Sequence, residues 1–234
     1  MPTPKGGYRT KDGIKAPSVT TVLGRFKDSG GLIKWAYKQG REHENLAMRG
    51  LPAPEHLYDV TGKAALAGTI AHDLIEAHVL SGGDEAQVKA AGAKHEADPD
   101  TKRKAWNSYL QFKQWLLNTN IVVTHTEMGL VSEKHRFGGT LDGVGRDAAG
   151  VRVLIDWKTS NAVYGEYLIQ LAAYALLLEE NEPDLAPQGF HLLRVAKESA
   201  DFAHHYYGEL EREKRAFLLM RELYDLTYAT DRRA

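Results

Sequence analysis

Near the end of an apolar run, "VRVLIDWKTS", the chain places an acid and a lysine two residues apart, Asp156 and Lys158. In a strand the side chains alternate, so Leu154, Asp156 and Lys158 share one face while Val153, Ile155 and Trp157 share the other. One strand earlier, "GGTLDGVG" sets Asp142 among glycines that permit close backbone approach. If the two strands pair as a hairpin, two carboxylates and one ammonium converge. Two carboxylates held together at low dielectric repel by several kcal/mol unless a cation or a proton joins them, and a divalent metal is the natural resident. Oxygen ligands suit magnesium or manganese better than zinc, and such ions activate water or clamp a phosphate oxygen. The chemistry suggested is phosphodiester hydrolysis, with Lys158 orienting or helping to deprotonate the attacking water and offsetting charge on the phosphorane. Taken alone, an Asp-x-Lys pattern also describes a surface ion pair at a frayed strand end.

Other polar residues stand where they could join this group. His72 and Glu76 are one turn apart on a helix face. Gln170 and Tyr174 are one turn apart within the apolar "YLIQLAAYALLL", where a buried glutamine needs partners. Glu127, in the strand before Asp142, reads as an outer contact, a second metal site or an exposed strand carboxylate. His78 points to another face than His72 and is expected to be exposed. His204 and His205 straddle both faces of one strand and cannot chelate together, and His125 and His135 read as surface. Trp35, Trp106, Trp115 and Trp157 fall mostly at core spacing. Yet Trp35 and Tyr37 stand with Lys34, Lys38 and Arg41 on a basic, aromatic helix that could stack the bases of a single strand.

The elements that must carry these residues follow from periodicity. "PSVTTVLGRF" puts Ser18, Thr20 and Thr21 just ahead of an apolar run, and helical period continues through "GLIKWAYKQGREHENLAM". "LPAPEH" breaks the chain; a helix runs over 61–80, "SGGDEAQ" closes it, polar "KHEADPD" follows, and another helix spans "RKAWNSYLQFKQWLLN". The period then shortens to that of strands in "IVVTHTEMGLVS", "FGGTLDGVGRD" and "VRVLIDWKTS", which read as an antiparallel meander. The helix "GEYLIQLAAYALLLEEN", two strands, "GFHLLRVAK" and "DFAHHYYG", and the amphipathic "ELEREKRAFLLMRELYDLTYA" complete the order. This predicts an α/β fold, helices packed on a central sheet, as a single domain over 1–234: a mainly helical part over 1–120 and a sheet-containing core over 121–234.

The 234 residues, 43% apolar and 26% charged, suffice for one sizeable core. The formal charge of −1 is that of no general polycation, so a nucleic acid would be met by a local basic patch and a metal. With no cysteine, disulfides, Cys-ligated zinc and Cys-held iron–sulfur clusters are excluded, and any metal rests on His, Asp or Glu. The start lacks the apolar core of a signal peptide, and no segment has the length of a membrane span, so a cytoplasmic protein without a membrane partner is expected.

Taken in order, "AGTIAHDLIE", "GGTLD", "DWKTS" and "QLAAY" carry G-x-x-x-H (Gly68, His72), G-x-x-D (Gly139, Asp142), D-x-K (Asp156, Lys158) and Q-x-x-x-Y (Gln170, Tyr174). The chain thereby resembles the RecB-type exonuclease branch of the PD-(D/E)XK nuclease superfamily, and "PSVTTVL" looks like the opening block of relatives that include phage exonucleases and the mitochondrial genome maintenance exonuclease. The residue before Asp142 is Leu141, so the proline of the superfamily name is absent. The resemblance implies a restriction-endonuclease-like core, a central mixed sheet flanked by helices. It implies His72, Asp142, Asp156 and the backbone carbonyl of Trp157 as ligands of Mg2+ or Mn2+, and Lys158 as the catalytic lysine beside Asp142 and Asp156. Gln170 and Tyr174 would brace the site and touch nucleic acid; Ser18, Thr20 and Thr21 would hold a strand-end phosphate. The expected activity is metal-dependent deoxyribonuclease, an exonuclease on DNA ends or single strands in recombination, repair or phage DNA processing. The expected setting is bacterial or phage-encoded, with a recombination or single-strand-binding protein as a further partner. Two rivals differ in class: a non-catalytic DNA-end-binding module on the same fold, and a metal-dependent phosphoesterase with a small substrate.

Overall fold

The computed structural model describes residues 6–52, 57–160, 162–199 and 201–231. Two short strands, β1 (Tyr8–Arg9) and β2 (Lys15–Ala16), form an antiparallel hairpin ahead of the first helix. Helix α1 (Val19–Arg25) follows Ser18, whose hydroxyl accepts from the Thr21 N–H, as an N-cap should. The chain breaks over 26–29 before α2 (Gly30–Met48), so the expected continuous helical period is two helices. Of the expected break at "LPAPEH", residues 53–56 lie outside the described residues.

Helix α3 (Leu57–Ser81) packs on α4 (Glu85–Ala93) and α5 (Pro99–Thr119). Helix α4 is a correction: "SGGDEAQ" ends one helix and caps the next, with the Asp84 carboxylate accepting from the Gln87 N–H at 2.8 Å. Its sequence, EAQVKAAGA, is rich in small residues and shows no apolar stripe to announce it. Helix α5 begins four residues ahead of the expected Arg103, because Asp98 caps Thr101 and Pro99 takes the first turn.

A five-stranded sheet carries the rest: β3 (Val122–Ser132), β4 (Phe137–Arg146), β5 (Arg152–Lys158), β6 (Gly189–Val195) and β7 (Phe202–Tyr207), in that spatial order. The first three form the expected antiparallel meander. Helix α6 (Gly165–Asn181) then crosses over to make β6 parallel to β5, and α7 (Glu211–Asp231) follows β7. The sheet is therefore mixed, with β5 at its centre and buried on both faces.

Alternation along β5 sorts the core. Leu154 faces one cluster, with α1, α6 and α7; Val153, Ile155 and Trp157 face the other, with α3, α4 and α5. Helix α2 buries no residue; Trp35 is half-exposed there and is not core as its spacing had suggested. His78, expected in solvent, is half-buried, with Nδ1 3.1 Å from the Tyr109 hydroxyl. No described helix is long and apolar enough to cross a membrane.

Candidate active site

The end of β5 is the anchor. Asp156 is fully buried and Lys158 nearly so; the ammonium lies 2.8 Å from Oδ1 in a hydrogen bond and 2.7 Å from Oδ2. The Tyr167 ring sits 5.3 Å from Nζ and covers it from α6. Burial alone would push the Lys158 pKa down, but the Asp156 and Asp142 carboxylates outweigh it and hold the amine charged above its ordinary range.

Asp142 comes from β4, whose residues 143–146 pair with β5. One of its oxygens accepts from the Trp157 backbone N–H at 3.0 Å, and its carbonyl accepts from the Thr126 hydroxyl at 2.8 Å. Burial and the neighbouring Asp156 charge push its carboxyl up to about 7. Across β3, the register pairs Thr126 with Gly143 and Met128 with Leu141, which brings Glu127 opposite Asp142. Glu127 has φ of +52°, a left-handed backbone inside a strand. For a non-glycine residue that conformation costs on the order of 1–2 kcal/mol, and such strain concentrates at functional sites.

His72 completes the group from α3. Its Nδ1 lies 3.7 Å from one oxygen of Glu127 and 3.7 Å from one of Asp142. One ligand atom from each of the three falls within 4.8 Å of the others, a spacing that suits a single cation. Burial would lower the His72 pKa, yet the two carboxylates raise it. The donor set fits a divalent ion: two carboxylates and an imidazole converge, and the negative charge there now drives Asp142 toward protonation instead. Asp156 stands outside this set of three, both its oxygens facing Lys158.

Trp157 ties the group together in a way its sequence position did not disclose. Its backbone N–H goes to Asp142, and its indole N–H goes to His72 Nδ1 at 3.2 Å, so one buried residue orients both. Two glycines let the helices close in. A Cβ on Gly68 would stand 2.9 Å from the Thr159 hydroxyl, and one on Gly139 would stand 2.7 Å from the Tyr174 ring. The Gln170 amide donates to the Tyr174 hydroxyl at 2.7 Å inside the core. Tyr174 lines the same pocket as Asp142 and Glu127, and burial together with the Asp156 and Asp142 charges holds its hydroxyl protonated.

The opening block arrives by backbone pairing. The Gly138 N–H donates to the Pro17 carbonyl at 3.0 Å, and Ser18 bridges to Gly138, so the start of α1 lies against β4. Ser18 and Thr20 line the pocket with Asp142; the Ser18 hydroxyl lies 2.9 Å from that of Thr20 and 2.7 Å from that of Thr21. Glu76, one turn beyond His72, is half-buried and not among the three convergent groups. The residue that sequence reasoning left most open is Glu127; the signal that could have raised it is its opposition to Asp142 once the β3–β4 hairpin is drawn.

Residues 44–231 match the family model of the PD-(D/E)XK nuclease superfamily. No curated protein matches the chain. Among solved structures, the alkaline exonuclease LHK-Exo of Laribacter hongkongensis, in complex with dAMP, is 16% identical over 74% of this chain and 97% of that one, with a TM-score of 0.35. A provisionally named exonuclease of Eubacterium rectale is 14% identical over 76% and 68% of the two chains, with a TM-score of 0.43.

Proposed function

Because the chain belongs to the PD-(D/E)XK nuclease superfamily, a family of hydrolytic, divalent-metal nucleases acting on DNA, we propose that it is a magnesium- or manganese-dependent DNA exonuclease of the RecB-like type. The observation that carries the reading is the convergence of His72, Glu127 and Asp142 within 4.8 Å, beside the buried Asp156–Lys158 pair. A bound divalent ion supplies positive charge next to the phosphate oxygens and makes a nearby water more acidic. His72, Glu127 and Asp142 would hold it, with Asp156 and the Trp157 carbonyl at the same strand end.

In the hydrolysis, a water oxygen bonds to phosphorus, one ester P–O bond breaks, and the leaving oxygen takes up a proton. Lys158 is held as an ammonium by its two carboxylate neighbours, which favours orienting the water and offsetting phosphorane charge over acting as the base. The Ser18, Thr20 and Thr21 hydroxyls offer donors to a strand-end phosphate. Gln170 braces Tyr174 against the pocket wall, and Glu76 remains an outer support. On α2, Lys34, Lys38 and Arg41 lie between Tyr37 and Trp35 around one exposed helix face, a surface suited to single-stranded DNA. Helices α3, α4 and α5 share the Trp157 core with the sheet while α1 joins the cluster on its other face, and we take the chain as one domain. Recombination, repair or phage DNA processing is the setting proposed, with a recombination or single-strand-binding protein as partner.

Digestion of 5′-labelled, 3′-labelled and circular DNA with Mg2+ or Mn2+ tests this, with Asp142→Asn as control. Loss of linear DNA, survival of circles and silence of the variant are expected. Cutting of circles overturns the exonuclease assignment, and full activity of Asp142→Asn overturns the site.

A further inference from the structure

A groove of about 800 Å3 lies between the β1–β2 hairpin, the start of α1 and the exposed side of α7. That volume is within the range of about 300–1,000 Å3 typical of ligand sites. It runs into the pocket of Asp142 and Glu127, since Tyr8, Ser18 and Thr20 line both. Its chemistry differs from that of the metal pocket.

Arg221 forms its floor. Arg221 is 7% exposed, and its Nε and Nη2 both donate to the Arg136 carbonyl, at 3.0 and 2.9 Å. Nη1 is buried 2.6 Å from Asp225 Oδ1 yet makes no aligned hydrogen bond. From this cation an aromatic ladder climbs α7 at helical spacing. The guanidinium lies 5.7 Å from the centre of the Tyr224 ring, and Tyr224 and Tyr228 are parallel to within 6° at 6.1 Å. Lys15 and Arg136 also line the groove and form no ion pair among the described residues. Cations beside stacked rings are what a nucleic acid strand requires, since phosphates seek the first and bases the second.

We infer that this groove is a second nucleotide subsite, which seats the strand on one side of the scissile phosphate: Lys15 and Arg136 hold its phosphate, and Tyr224 and Tyr228 stack its base. The inference rests on the nuclease reading and extends it to the C-terminal helix, for which the four motif blocks give no role. A substrate too short to reach α7 gains nothing from the groove, so a small chromogenic phosphodiester and an oligonucleotide respond differently to its loss.

The test compares the two substrates in the wild-type protein and in Tyr224→Ala/Tyr228→Ala. Loss of one stacked base corresponds to roughly a 5- to 150-fold rise in KM. We expect a rise of about tenfold or more for a short single-stranded oligonucleotide, kcat within about twofold, and no change toward the small diester; Tyr224→Phe/Tyr228→Phe restores KM. Separately, Lys15→Ala/Arg136→Ala should flatten the dependence of log affinity on log salt by about 0.7 for each cation. An unchanged oligonucleotide KM and salt slope overturn the subsite. Equal losses on both substrates show damage to the pocket and also overturn it. A wild-type protein that cleaves neither substrate removes the nuclease reading itself.

Discussion

At the scale of single residues, the candidate site crowds Glu127, Asp142 and Asp156 around one imidazole and one ammonium. Unfolded, Asp142 loses its proton near pH 4; folded, it keeps it up to about 7. Between those values the folded state binds more protons, so the stability Asp142 contributes is complete below about pH 4 and lost as the pH rises to 7, on the order of 2–4 kcal/mol. His191, whose pKa burial depresses to about 4, has the opposite sign over much of the same range. The quantity to measure is therefore the difference in unfolding free energy between metal-free wild type and Asp142→Asn. It should favour the variant increasingly from pH 4 to 7 and shrink or reverse when Mn2+ is added; a flat difference would contradict the crowding of carboxylates. Asp156 and Lys158 make the complementary case. Lys158→Ala leaves a fully buried carboxylate unpaired and should lower stability by about 3–5 kcal/mol in urea melts. The Asp156→Asn/Lys158→Met double variant should regain most of that stability while remaining unable to cleave DNA.

Among elements, the critical contact is between α3 and the end of β5, where helix and strand touch at Gly68. Gly68→Val sets a branched side chain against the Thr159 hydroxyl on the helix that carries His72, and about a tenfold or greater loss of kcat is expected from the proposed site, since small misplacements of the reacting groups are costly. Gly62→Ala on the same helix meets open space; it should add about 0.5–1 kcal/mol of stability and leave kcat unchanged. Similar losses from both would mean that the approach at Gly68 does not position the histidine. This element scale also shows what periodicity can transmit. The β3–β5 meander and the pairing of Asp156 with Lys158 follow from alternation alone, because period two sorts the faces whatever the partners are. Helix α4 escaped because its alanines and glycines leave no stripe. Trp35 was misplaced because spacing does not reveal whether anything lies opposite a helix face, and on α2 nothing is buried. The clasp of Trp157 on two neighbours depends on where α3 docks, which no local pattern encodes.

For the molecule as a whole, charge lies in patches on a nearly neutral chain. Lys34, Lys38 and Arg41 project from a helix that buries nothing, so a Lys34→Ala/Lys38→Ala/Arg41→Ala variant should melt at the wild-type temperature. Its affinity for single strands should lose about two units of salt slope, and an unchanged slope would remove α2 from the strand's path. Stability and function part company most clearly at Glu127. A library screened only for heat resistance should enrich Glu127→Gly and Glu127→Asn, which relax the left-handed backbone, for a gain of about 1 kcal/mol. Such survivors would be folded and inert. Hardening this protein by selection for thermal survival alone therefore leads away from its catalysis, and the strand opposite Asp142 is where that divergence would first be read in the recovered sequences.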